Sequence, residues 1–142
     1  MRNNIVEEYR SRVVMALQTT ALAADDYLLP TAGFSQAVVR CIVTMGNAAD
    51  LVLSLKTADD AAGTNAAAIA SNVPIYVNGV RQTDAKAATV ADATGNFIVD
   101  FIVDPKLIPD GKYVGMSYAN SDAGNLMCAM LIESVAYKPT AS

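Results

Sequence analysis

The chain has 142 residues, a net charge of −4, 53% hydrophobic residues and 17% charged residues, with no His and no Trp. That length suits one domain with a real core, and the hydrophobic excess excludes a disordered chain. The acidic balance and scattered Lys/Arg exclude a nucleic-acid groove, and no apolar run reaches the roughly 18 residues of a membrane helix.

In chain order, residues 3–18, "NNIVEEYRSRVVMALQ", predict a helix. Ile5, Tyr9, Val13 and Leu17 fall every fourth position on one stripe. Asn4 with Glu7 forms a capping-box pattern, and Glu8 with Arg12 an i,i+4 pair. A strand over Val13–Leu22 is the rival, because Val13, Met15 and Leu17 also alternate. Arg10 and Arg12 ahead of an apolar stretch, with Ala21-Leu22-Ala23 after it, outline a signal peptide, but Gln18, Thr19 and Thr20 interrupt the apolar core and none is expected. Residues 1–24 are therefore taken as an N-terminal helical segment or arm, and 25–142 as a single β domain.

Residues 25–34, "DDYLLPTAGF", carry Pro30 and Gly33 and read as a connector. The period then becomes two. Ala37, Val39, Cys41, Val43 and Met45 share one face of "SQAVVRCIVTM". Leu51, Leu53 and Leu55 point inward from "DLVLSLK", and Phe97, Val99, Phe101 and Val103 from "NFIVDFIVD". The Ala run after Thr64 reads as either a short helix capped by Thr64 or an ordered loop. A strand is expected near residues 87–91, with a turn at Thr94-Gly95. Pro109-Asp110-Gly111 is turn chemistry. Tyr113–Tyr118 begins a strand, and 126–138 is the longest strand candidate, apolar on both faces until Glu133. Such a strand is central or covered by another subunit. The spacing of turns predicts a mainly β, single-domain β-sandwich or jelly-roll-like fold with an N-terminal helix or arm.

Catalytic constellations are missing. Without His there is no Ser-His or Cys-His arrangement and no His-bearing zinc site. Gly115-Met116-Ser117-Tyr118-Ala119 approaches the nucleophile elbow but lacks its last Gly, so Ser117 reads as a strand serine. No phosphate-cradling Gly loop occurs. Asp25-Asp26 and Asp59-Asp60 lack calcium-loop spacing and read as solvated loop charge. The oxygen-rich "NSDAGN" loop reads as an ordinary loop rather than a weak cation site. Cys41 and Cys128 read as small buried hydrophobes. No catalytic residue, cofactor or metal is expected, and the chain reads as a non-enzyme.

The stretches "NVPIYVNGVRQTDAKA", "ATGNFIVDFIVDPKLIPDGKYVGMSYANS" and "MLIESVAYKP", together spanning about residues 70–139, resemble small tailed-bacteriophage virion proteins, above all capsid decoration (cement) proteins. That resemblance implies a shell-stabilising protein of the virion, made in the host bacterial cytoplasm. It would bind the major capsid protein or other virion proteins, often as a homotrimer, with no nucleic acid or membrane partner. A head–tail or tail-associated component, or a carbohydrate-binding module on a fibre, is the alternative; Tyr113, Tyr118 and Tyr137 would then form the sugar platform. The expected partner interface comprises Ile5, Tyr9 and Val13 on the N-terminal stripe, Met127 and Leu131 on the two-faced strand, and the hairpin tip. At that tip Asn78-Gly79 suits a two-residue type I′ turn, and Arg81 is placed to make the polar contact.

Overall fold

The computed structural model describes residues 9–46, 49–91, 94–119 and 121–135. Among the described residues, eleven strands form two antiparallel sheets. They are β1 (Tyr9–Thr19), β2 (Ala24–Leu28), β3 (Phe34–Met45), β4 (Leu51–Ala58), β5 (Ala67–Ala68), β6 (Ile75–Val77), β7 (Val80–Arg81), β8 (Ala87–Val90), β9 (Gly95–Val103), β10 (Tyr113–Tyr118) and β11 (Leu126–Val135). One sheet runs β1-β11-β3-β9-β6-β7. The other runs β2-β10-β4, with β5 and β8 both pairing β4. The chain crosses between sheets at β1→β2, β2→β3, β3→β4, β5→β6, β7→β8, β8→β9, β9→β10 and β10→β11. First and last strands pair, and the four-strand cores β1-β11-β3-β9 and β2-β10-β4-β8 have the order of a jelly roll. The mainly β sandwich expected from the turn spacing is the fold observed.

The core lies between the sheets and is built by alternation. Ala37, Val39, Cys41, Val43 and Met45 of β3, and Leu51, Leu53 and Leu55 of β4, are all buried in it. Val99, Phe101 and Val103 of β9 join them, and Phe97 packs at the margin. β10 contributes Val114, Met116 and Tyr118; β11 contributes Met127, Ala129 and Leu131. The alternating segments needed nothing but a period of two to choose their faces.

Two local expectations are corrected, and one open alternative is decided. Over residues 9–18 the structure has strand β1, not a helix. Its pairing with β11 slips between Val13 and Met15 and again between Met15 and Gln18, so Val14 and Met15 both turn inward. Residues 1–8, including Ile5, lie outside the described residues. The connector 25–34 contains β2, which pairs Asp25 with Ser117 and Tyr27 with Gly115 of β10. A Cβ on Gly115 would lie 1.9 Å from the Asp26 carbonyl oxygen, so this close approach needs glycine. Asp25 and Asp26 are accordingly strand residues rather than loop charges. The Ala run after Thr64 forms no helix; it supplies the two-residue β5 behind a turn at Asn65, φ 52°.

The remaining turns follow their chemistry. Asn78 (φ 51°) and Gly79 (φ 80°) join β6 to β7, with both residues in the left-handed region that a type I′ hairpin requires. Gly111 (φ 81°) closes the Pro109 turn, where the Lys112 amide donates to the Pro109 carbonyl at 3.0 Å.

Candidate assembly surface

Because side chains alternate, the residues between the core positions of the larger sheet face outward. Register aligns them in rows across the strands. One row runs Ser11, Ile132, Val38, Ile102. The next runs Val13, Met130, Arg40, Asp100, Tyr76, Arg81. The third contains Cys128, Ile42 and Ile98. Most of these side chains are apolar and none is fully covered. Val13 is 59% exposed, Ile42 39% and Ile98 40%, with Leu17 of β1 at 69% beside them. At one end the face finishes in Thr44, whose hydroxyl donates to Asn96 Oδ1 at 2.9 Å. At the other, Ser35 donates to Ser134 Oγ at 3.1 Å. An apolar field with a polar rim is the anatomy of a protein interface, and scattered single hydrophobes do not produce it.

The field has one charged centre. Arg40 Nε donates to Asp100 Oδ1 at 2.8 Å and Nη2 to Oδ2 at 3.0 Å, a two-pronged pair directly across β3 and β9. The hydrogen bond to Asp100 holds the guanidinium in its charged form. Beside it, the Arg81 guanidinium carbon lies 5.6 Å from the Tyr76 ring centroid and Nη2 reaches Asp84 Oδ1 at 2.5 Å.

The expected interface residues are thus divided. Tyr9 and Val13 lie on the outer face, though on a strand. Asn78 and Gly79 form the exposed hairpin tip, where the Asn78 side chain accepts from the Ile98 amide at 2.9 Å and fastens the tip to β9. Arg81 is at the tip but already paired within the chain. Met127 and Leu131 are fully buried between the sheets. The outward residues of β11 are their neighbours Cys128, Met130 and Ile132. Cys41 faces the core, where burial pushes its thiol far up, whereas Cys128 is half-buried on the outer face; both are free.

Sequence reasoning missed Glu133, which is fully buried. Arg12 Nη2 donates to Glu133 Oε1 at 2.7 Å and Nε to the same oxygen at 3.2 Å. The Thr31 amide donates to Oε2 at 2.5 Å and the Thr31 hydroxyl to Oε1 at 3.0 Å. Arg12 Nη2 also donates to the Leu29 carbonyl at 2.8 Å. One carboxylate therefore ties β11 to β1 and to the β2–β3 connector. The signal available in the sequence was a lone Glu ending an apolar strand.

The other candidate groups are engaged structurally. Asp60 accepts from the Ala62 and Thr64 amides, both at 3.0 Å, and Asp59 accepts from Asn65 and Lys112, so both shape one loop. Asn125 of the "NSDAGN" loop is buried. Its Oδ1 accepts from the Gly46 amide at 3.0 Å, and its Nδ2 donates to Ser121 Oγ at 3.1 Å. Ser117 stands mid-strand in β10, beside Asp25, Ser54 and Lys56 around a shallow hollow of about 430 Å³. Tyr118 is buried and donates to the Thr19 carbonyl at 3.2 Å, so it offers no ring to a sugar; Tyr137 lies outside the described residues. Among the described residues no three His, Cys, Asp or Glu side chains gather as a metal site, and no helix is long and apolar enough to cross a membrane.

Compared with known proteins, no family model, no curated protein and no solved structure matches the chain.

Proposed function

We propose that this chain is a non-enzymatic structural protein of a tailed-phage particle, held on the shell as a decoration protein. The observation that carries the reading is the apolar outer face of the β1-β11-β3-β9 sheet. Its Val13, Ile42, Ile98 and Leu17 side chains are exposed in a connected field that a solitary protein has no reason to maintain. A jelly roll is a scaffold used by viral shell proteins and by lectins alike, so the fold supports the reading without choosing it. The choice rests on surface chemistry. The described residues offer a broad apolar sheet face and no aromatic platform built from Tyr113 and Tyr118. The resemblance of residues 70–139 to small virion proteins points the same way. Many copies on a symmetric shell gain avidity from geometry, so each contact can be modest.

Mass spectrometry of purified phage particles, with this chain counted against the major shell protein, tests the reading. Hundreds of copies per particle are expected of decoration. About a dozen copies, the multiplicity of a single portal-type ring, would assign it to the neck or tail. Its absence from particles, together with retention on a glycan array, would replace the reading with a sugar-binding module.

A further inference from the structure

The outer face also carries the signature of its occupant. Resting on the reading above that this face is an interface, we infer that the occupant is a second copy of this chain, seated face to face about a two-fold axis that runs parallel to the strands between β3 and β9.

Charge placement points to that axis. Arg40 and Asp100 stand directly opposite one another on these two strands, the third and fourth in the six-strand order of the sheet. A two-fold axis between the strands exchanges β3 with the partner copy's β9. It therefore lays each Arg40 over the other copy's Asp100, and cation meets anion twice. An axis in the sheet plane but across the strands would lay Arg40 over Arg40, which like-charge repulsion disfavours. The flanking rows obey the same exchange. Val38 pairs with Ile102 and Ile42 with Ile98 in register, so the axis that matches charge also lays apolar on apolar. A face whose two central strands carry complementary residues at each outward level is self-complementary, which is what a two-fold interface requires.

The area is of the right order. The four long strands β1, β11, β3 and β9, each about 4.8 Å wide, span about 19 Å, and eight residues at about 3.3 Å span about 26 Å, so their flat face covers about 500 Å² before side-chain relief, to which the short β6 and β7 add a little. Stable specific interfaces cover about 800 Å² per partner, and twisted sheets stack about 10 Å apart within about 30° of alignment. Two copies so arranged make a four-layer stack with the Arg40–Asp100 pairs at its centre. The polar ends at Thr44–Asn96 and Ser35–Ser134 lie outside the apolar field.

Sedimentation velocity on the purified chain tests the inference. The wild type is expected at twice the 14.9 kDa chain mass. Ile42→Asp, an outward substitution that leaves the core untouched, is expected to weaken self-association by at least ~30-fold while its thermal melt stays cooperative. Arg40→Asp and Asp100→Arg are each expected to be monomeric alone and to form a dimer when mixed one to one. The first variant then has two carboxylates at the centre of its face, the second has two guanidiniums, and the axis lays one pair over the other. A wild type that stays monomeric at all concentrations overturns the inference. So does a trimer mass, an Ile42→Asp protein that remains dimeric, or a mixture that stays monomeric. A monomeric wild type that still binds particles, and loses that binding on Ile42→Asp, overturns the dimer and leaves the shell reading standing. A dimer that is absent from particles does the reverse.

Discussion

Glu133→Ala removes the one carboxylate that is fully buried among the described residues, and its cost follows from the partners left behind. Breaking a buried ion pair by deleting one member typically costs about 3–5 kcal/mol. Arg12 softens this, because its side chain is 33% exposed and its guanidinium can turn to water. The Thr31 amide and hydroxyl also lose their acceptor, and each stranded donor adds about 1 kcal/mol where water reaches only partly. The expected loss is about 2–4 kcal/mol. For a domain of this size that is a fall of roughly 6–15 °C in Tm. Glu133→Gln keeps one oxygen for Arg12 but turns an NH₂ toward the Thr31 amide, so about half that loss is expected. Urea and thermal unfolding of both variants, crossed with Arg12→Ala, provide the assay, with a coupling of at least ~1 kcal/mol expected in the cycle. A Glu133→Ala protein within about 0.5 kcal/mol of wild type would refute the tie between β11, β1 and the β2–β3 connector.

Two further outcomes follow from the register and from the charges. Leu131→Ala opens a core cavity and should cost about 2–5 kcal/mol, whereas Met130→Ala, one residue away and outward, should cost under about 1 kcal/mol at low protein concentration; equal losses by urea unfolding would contradict the β11 facing. Carboxyl NMR titration should split the aspartates to either side of their ordinary 3.8. Asp59 falls below it through its hydrogen bonds from Lys112 and Asn65, and Asp60 through those from Thr64, so their stabilisation is present above pH 3.8 and drains away as pH falls through the lowered values. Asp26 rises above 3.8, chiefly by burial and then by the Asp25 charge, so its cost to folding is absent below pH 3.8 and grows as pH rises through the raised value. A midpoint for Asp26 at or below 3.8 would remove the buried environment assigned to it.

Much of the sandwich was legible because β3, β4 and β9 keep an apolar residue at every second position while Arg40, Thr44, Ser54, Lys56 and Asp100 mark the other face. The hairpin was legible for a different reason: Asn78-Gly79 tolerates two positive φ angles where other pairs do not. β2 was not legible. Its Asp25-Asp26 start and Pro30 nearby are connector chemistry, and the segment is a strand because Gly115 lets it lie close against β10. The facing of β11 was half legible. The two-faced apolar character of residues 126–132 marked a central strand, and β11 lies between β1 and β3. Which face was inner required the register with β3, and that register puts Met127 and Leu131 inside and Met130 and Ile132 outside.

The first segment shows why local pattern alone misassigned an element. Tyr9, Val13 and Leu17 are four apart, and a spacing of four lies on one side of a helix and also on one side of a strand. The strand's own evidence is blurred, because the bulge turns Val14 and Met15 inward together and breaks the alternation that would have marked it. What decides between the two is long-range. Without β1, the apolar strand β11 would be a bare sheet edge, and Glu133 would be a buried carboxylate with no cation. Pairing β1 there covers the edge and brings Arg12 to Glu133, 121 residues away in sequence. The same pairing sends the stripe that resembled a helix face outward onto the apolar field, so the helix-like stripe and the exposed surface have one cause.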